Sequence, residues 1–176
     1  MQDDRYSRQQ LVPQFGSKGQ ARLADASVVI IGAGGLGCYA APLLVGAGVG
    51  SVHLVDHDVV SLTNLHRQTL YREHHIGKPK AQVAQQELAA LNASVRVLSS
   101  VERCHPGNVR ELIEGADVVL DAADNFALSY ILSDACRLDS TVLISASVNR
   151  TYGYVCAFCG DPSLGLPELR SVFPKV

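Results

Sequence analysis

The sequence predicts an α/β fold, Rossmann-like, with a mostly parallel sheet flanked by helices and an antiparallel strand near the C-terminus. Short runs of branched apolar residues alternate with helix-period segments. The first run, VVIIGAGGLG at Val28 to Gly37, breaks into four glycines where a strand passes into a helix. No repeat or low-complexity linker interrupts the alternation. At 176 residues the chain reads as one domain, 1–176, able to bury about two thirds of the surface its unfolded form exposes.

A helix at 16–24 precedes the first strand. Strands are expected at 27–31, 51–55, 95–99, 117–121 and 141–146, each apolar along its length, as strands covered on both faces are. The helices between them are expected at 35–47, 79–91, 106–114 and 125–138. In the second, Ala81, Ala84, Leu88 and Leu91 recur three or four apart as one apolar stripe, and Pro79 sits where a helix start tolerates it. Beyond Ala146 the rhythm changes. Residues 152–158 read as the additional strand, and GDPSLGLPELRSVFPKV reads as a loop with no closing helix.

The chain is 47% hydrophobic and 18% charged with a net charge of −2, unlike a disordered tail or a basic nucleic-acid binder. No apolar stretch approaches the roughly 20 residues that cross a bilayer, and MQDDRYSRQQ is too polar for a secretory signal. The expectation is a cytoplasmic protein without nucleic-acid or membrane partners. Cys38, Cys104, Cys136, Cys156 and Cys159 are an odd number, which fits buried reduced thiols better than a disulfide framework.

Glycines between a strand and a helix let backbone amides approach a phosphate at the helix N-terminus. Gly32, Gly34, Gly35 and Gly37 suit either NAD or ATP. Asp56, about 20 positions on, stands where a dinucleotide site bonds the ribose, so an NAD-binding oxidoreductase is one reading. The next stretch favours ATP. VDHDVVSLTNLHRQTL places Asp56, Asp58, Asn64, Arg67 and Gln68 directly after the second strand, and Lys80 follows in GKPK. Two phosphates can be held by amides, whereas added cations suit a triphosphate. Asp124, in DAADN at the end of the fourth strand, faces the crevice where open parallel sheets bind ligands and can carry magnesium beside phosphates.

Plainer readings stand beside these. Arg8 is also an ordinary solvated charge, Lys80 an exposed first-turn lysine opposed by the macrodipole, and Arg67 a partner for Asp58 or Glu73. Asp124 equally reads as the cap of a helix starting at Asn125. His74 and His75 read as solvated loop residues. No catalytic role is assigned to His53, His57 or His66.

RYSRQ (5–9), GAGGLG (32–37), AGVG (47–50), DHDVVSLTNLHRQ (56–68), GKPK (77–80) and DAADN (121–125) together resemble the ThiF/MoeB/HesA family over about 5–155. These are relatives of ubiquitin-activating enzymes. The resemblance implies a nucleotidyltransferase that uses ATP and magnesium to adenylylate the C-terminal glycine carboxylate of a ubiquitin-like sulfur-carrier protein. The pathway would be thiamine, molybdopterin or related sulfur transfer. It implies that Asp56 binds the ribose and that the four glycines lie under the nucleotide. It places Asn64, Arg67 and Lys80 on phosphates and magnesium on Asp124. Asp58, Gln68 and Asn125 line the same site, and Arg8 crosses a two-fold homodimer to the other subunit's phosphates.

Two departures from the family are visible. Many relatives hold a structural zinc with two CxxC pairs, and here Glu168 and Ser171 stand where the first pair belongs. Cys156 and Cys159 are one pair on a strand, half of a tetrahedral site, so zinc is not expected. The family also continues beyond this point, so the chain corresponds to the N-terminal part of its fold, as a fragment or as a short form. An ATP-binding scaffold without catalysis is the remaining alternative.

Overall fold

A computed structural model of the chain describes residues 4–174. Helices α1 (Ser7–Gln10) and α2 (Gly16–Asp25) lead into β1 (Ser27–Ile31). The chain continues through α3 (Gly37–Ala47), β2 (Ser51–Val55), α4 (Lys80–Leu91), β3 (Arg96–Ser100), α5 (Val109–Leu112) and β4 (Val118–Asp121). It ends with α6 (Phe126–Leu138), β5 (Val142–Asn149), β6 (Tyr152–Phe158) and α7 (Leu169–Val172). The strands form one six-stranded sheet in the order β3-β2-β1-β4-β5-β6. Neighbours are parallel except β5 and β6, which run antiparallel.

Side chains alternate across a strand, so β1, in the middle, feeds two cores. Val28 and Ile30 pack with Val45, Val52, Leu54 and Leu88 beneath α3 and α4. Val29 and Ile31 pack on the opposite face with Leu112, Val119, Leu132 and Leu143. The strand order reverses between β1 and β4, and the carboxyl ends of strands at such a reversal are where open parallel sheets hold their ligand crevice. No helix among the described residues is long and apolar enough to cross a membrane.

The sheet departs from the sequence reading mainly at its edges. β3 is an edge strand with one covered face, so Arg96 and Leu98 are exposed while Val97 points inward. Helix α3 starts two residues later than expected because Gly34 and Gly35 form the turn. On α4, Ala81, Ala84 and Leu88 are fully buried, Leu91 on the last turn is 43% exposed, and Val83 is buried as well. Helix α5 is a single turn: Asn108 Oδ1 accepts from the His105 amide at 2.8 Å and His105 Nδ1 accepts from the Gly107 amide at 3.0 Å. Those side-chain bonds give 105–108 a turn instead of a helical start.

Three expectations are corrected by long-range packing. The C-terminal segment is not all loop, because α7 buries Leu169, and Arg170 forks onto Asp134 of α6 at 2.8 and 2.5 Å, above the Tyr130 ring. His75 is buried, not solvated; its Nδ1 accepts from the Arg72 amide at 3.1 Å, and burial lowers its pKa. All five cysteines are unpaired and four are buried, but Cys156 is only partly covered.

The N-terminal motif docks on the end of α3. Gly48 adopts φ +84° to cap that helix, and the ring of Tyr6 lies where a side chain would be. Tyr6 Oη accepts from Asn92 Nδ2 at 2.8 Å, Gln9 Nε2 donates to the Ala47 carbonyl at 2.8 Å, and Arg5 reaches the Leu91 carbonyl. RYSRQ and AGVG are thus two halves of one contact.

Gly48→Ala imposes a left-handed conformation on a residue with Cβ and meets Tyr6, so urea unfolding should show a loss of about 1–3 kcal/mol. Burial pushes Cys38 and Cys104 up to about 11 and Cys136 to about 12. In native protein at mildly alkaline pH, a thiol reagent followed by peptide mapping should therefore label Cys156 first.

Candidate active site

Where β1 ends, Gly32 takes φ +101°, and a methyl on it would sit 2.7 Å from the Ala122 carbonyl oxygen in the loop after β4. The two loops that flank the strand-order reversal therefore touch, and only glycine permits the approach. Ala33 is held from both sides. Its amide donates to Asp56 Oδ2 at 2.7 Å, and its carbonyl accepts from Tyr71 Oη at 2.8 Å and from the Cys38 thiol at 3.3 Å. Gly34 and Gly35 then turn the chain into α3, with buried Gly37 as its first residue.

Asp56 follows β2 and is buried, its second oxygen accepting from the Asp58 amide at 2.7 Å. Each carboxylate oxygen keeps a further lone pair. Asp58 binds Lys80 at both ends: Lys80 Nζ donates to Asp58 Oδ2 at 2.9 Å, and the Lys80 amide donates to the Asp58 carbonyl at 2.9 Å. Lys80 is thus no exposed lysine; it is 4% exposed. Its ammonium holds the Asp58 carboxyl below the ordinary value.

The turn Leu62–Asn64 delivers the next pair. The Asn64 carbonyl accepts from the amides of Arg67 and Gln68, both at 3.0 Å, and this lays the two side chains along the glycines. A methyl on Gly35 would be 3.8 Å from Arg67 Cδ, and one on Gly34 3.7 Å from Gln68 Nε2. Arg67 is exposed and donates to the Thr63 carbonyl at 3.3 Å; neither Asp58 nor Glu73 is its partner. Gln68 is 3% exposed, and its Oε1 has no hydrogen-bond partner among the described residues. A buried acceptor left open beside a glycine turn is a place for a ligand donor.

Across the crevice, β4 ends at Asp121, three residues before Asp124. Asn125, not Asp124, caps α6, its Oδ1 accepting from the Leu128 amide at 2.9 Å. Asp124 is exposed and makes no hydrogen bond or ion pair among the described residues. Asp121 is the buried carboxylate of the motif. It accepts from Ser145 Oγ at 2.8 Å and from the Ala123 amide at 3.3 Å. Burial pushes its pKa up, against the pull of Ser129, Ser145 and Ala123.

Arg8 points outward from α1 and has no partner among the described residues. The chain itself therefore brings the glycines, Asp56, Asp58, Asn64, Arg67, Gln68 and Lys80 together on one side, with the Asp124 turn against Gly32. Donor atoms of Asp56, His57 and Asp58 lie within 4.8 Å of one another, but Ala33, Lys80 and the Asp58 amide already occupy those carboxylates. Tyr71 and Asp121 were missed in the sequence. Tyr71 gives no periodic signal, and Asp121 is overshadowed by the exposed acid of its own motif.

Residues 6–175 match the ThiF family. The chain belongs to that family. It is 44% identical over 174 residues to the sulfur carrier protein adenylyltransferase of Thermus thermophilus, covering 98% of this ThiF-family chain and 64% of the relative. It is 43% identical to the adenylyltransferase and sulfurtransferase uba4 of Emericella nidulans, covering 97% of this chain but 36% of that protein. Among solved structures, Escherichia coli TcdA, a tRNA N6-threonylcarbamoyladenosine dehydratase in complex with ATP, superposes with a TM-score of 0.76 at 29% identity. That match covers 81% of this chain and 58% of the other. This ThiF-family chain thus spans roughly a third to two thirds of these proteins.

Tyr71→Phe removes the donor to the Ala33 carbonyl and should lower stability by about 1 kcal/mol in chemical denaturation. The hydrogen-bonded Lys80 ammonium lowers the Asp58 carboxyl from its ordinary value, so its contribution is present above that ordinary value and is lost as pH falls through the lowered one. Asp58→Asn should remove this part of the acid-unfolding limb followed by circular dichroism.

Proposed function

We propose that the chain is an ATP-dependent adenylyltransferase acting on the C-terminal glycine carboxylate of a ubiquitin-like sulfur-carrier protein, in the cytoplasm, for thiamine, molybdopterin or related sulfur transfer. The observation that carries this reading is Arg67 laid along Gly35 with its guanidinium exposed. It adds a forked cation to a turn whose amides already suit phosphate. The names of the Thermus and Emericella relatives support the same activity. An NAD-binding oxidoreductase needs neither Arg67 nor Lys80 at this place.

In the reaction a carrier carboxylate oxygen attacks the α-phosphorus of ATP. A carboxyl–phosphate bond forms, the bond to the bridging oxygen of the β-phosphate breaks, and pyrophosphate leaves. No protein nucleophile is needed, so the residues act by orienting two anions and matching the charge that gathers on the leaving group. Gly32, Gly34, Gly35 and Gly37 form the floor, and Asp56 offers its remaining lone pairs to the ribose. Asn64, Arg67 and Lys80 meet phosphate oxygens, Lys80 exchanging Asp58 for them. Gln68 offers its open acceptor to a donor on the ligand, and Asn125 keeps its amide NH2 for the same side.

Magnesium fits one residue well. Asp124 is an exposed, uncommitted carboxylate on the turn against Gly32, and a single hard oxygen ligand beside phosphates and water is an ordinary magnesium arrangement. When bound, the ion would neutralise phosphate charge. Arg8, exposed and without a partner, would serve a neighbouring copy's phosphates in a homodimer.

Radiolabelled pyrophosphate exchange into ATP should depend on a ubiquitin-fold carrier and fall by about a hundredfold in Arg67→Ala. Exchange that ignores Arg67 sinks the assignment. Tight NAD binding without ATP binding points to the oxidoreductase, and ATP binding without exchange points to a scaffold.

A further inference from the structure

We propose that Asp121 is a positioning residue whose buried carboxylate holds the Ala123 amide and so aims the turn that carries Asp124. This rests on the reading of Asp124 as the magnesium ligand. Asp121 is 1% exposed at the end of β4, opposite Ile31 of β1 and Ser145 of β5. Its Oδ2 accepts from Ser145 Oγ at 2.8 Å, and that hydroxyl lies 3.2 Å from Tyr154 Oη on β6. Ser145 has one proton and gives it to Asp121, so Tyr154 is the donor in the second pair. The relay runs one way, from Tyr154 through Ser145 to Asp121.

The other oxygen, Oδ1, accepts from the Ala123 amide at 3.3 Å. One carboxylate thereby ties β5, and through Ser145 also β6, to the residue just before Asp124. On its far side the same turn has no slack, because the Ala122 carbonyl abuts Gly32. The spacing between the glycine turn and Asp124 therefore follows from how Asp121 holds Ala123.

Holding needs an acceptor, not a charge. Asparagine at this position can keep its oxygen on the Ala123 amide and donate to Ser145, whose hydroxyl rotates to donate onward to Tyr154. Alanine can do neither. A residue that itself ligated the ion would be lost equally in both variants.

The test is calorimetric titration of ATP into the intact chain with and without magnesium, which yields the factor by which magnesium tightens ATP. Asp124→Ala should abolish that factor. Asp121→Ala should reduce it about tenfold, with ATP affinity in the absence of magnesium unchanged. Asp121→Asn should restore it, and Ser145→Ala should lower it in the same direction as Asp121→Ala. A wild-type factor in Asp121→Ala overturns the proposal, as does equal loss in Asp121→Ala and Asp121→Asn. If Asp121→Ala does not fold, Ser145→Ala decides, and an unchanged factor there overturns it. No magnesium effect in the wild type, or none lost in Asp124→Ala, overturns the magnesium reading and the proposal with it.

Discussion

The structure around the crevice depends on the two-sided hold on Ala33. Asp56 takes its amide from the β2 side, while Tyr71 and Cys38 reach its carbonyl from beneath. A glycine-rich turn by itself is loose, because glycine loses the most backbone freedom on ordering. Pinning the one side-chain-bearing residue between Gly32 and Gly34 removes that looseness and sets the following glycines beside Gln68 and Arg67. Tyr71 also lies 3.4 Å from the Lys80 carbonyl, so the start of α4 is built against the same phenol.

Charge is sorted between supporting and offered groups. Asp121 and Asp56 are buried, and every carboxylate oxygen of the two accepts at least one hydrogen bond, as buried carboxylates must. Lys80 is buried and paired. Arg67, Asp124 and Arg8 stand exposed, and Gln68 is buried with an open acceptor. The exposed groups and the open Gln68 acceptor flank the glycine turn or project from α1, and the buried, paired ones lie behind them. On the proposed reading, a polyanion would meet a supporting shell already in place, with Lys80 as the group that changes partner.

The motif contacts explain why separate pieces of sequence travel together. RYSRQ meets AGVG through Tyr6 over Gly48 and Gln9 on Ala47, so the segment carrying Arg8 is anchored by its neighbours while Arg8 itself stays outside. DAADN meets GAGGLG through Ala122 and Gly32. In each case a glycine is small where another backbone or ring must come close.

Local pattern alone determined the alternation of strands and helices from β1 to β6, the positions of β1, β2 and β6, and the mostly parallel sheet with its antiparallel strand. These follow from periodicity and from glycine chemistry, which neighbouring residues express without help from distant ones. Tertiary packing decided what those residues touch. The burial of Lys80 and His75, the one-turn α5, the docking of α7 through Arg170 and Asp134, and the roles of Tyr71 and Asp121 each depend on partners remote in sequence or on side-chain bonds that override local propensity. Periodicity reports which face of an element is covered; it carries no record of which distant donor meets which acceptor, and that is settled only when the strands lie side by side.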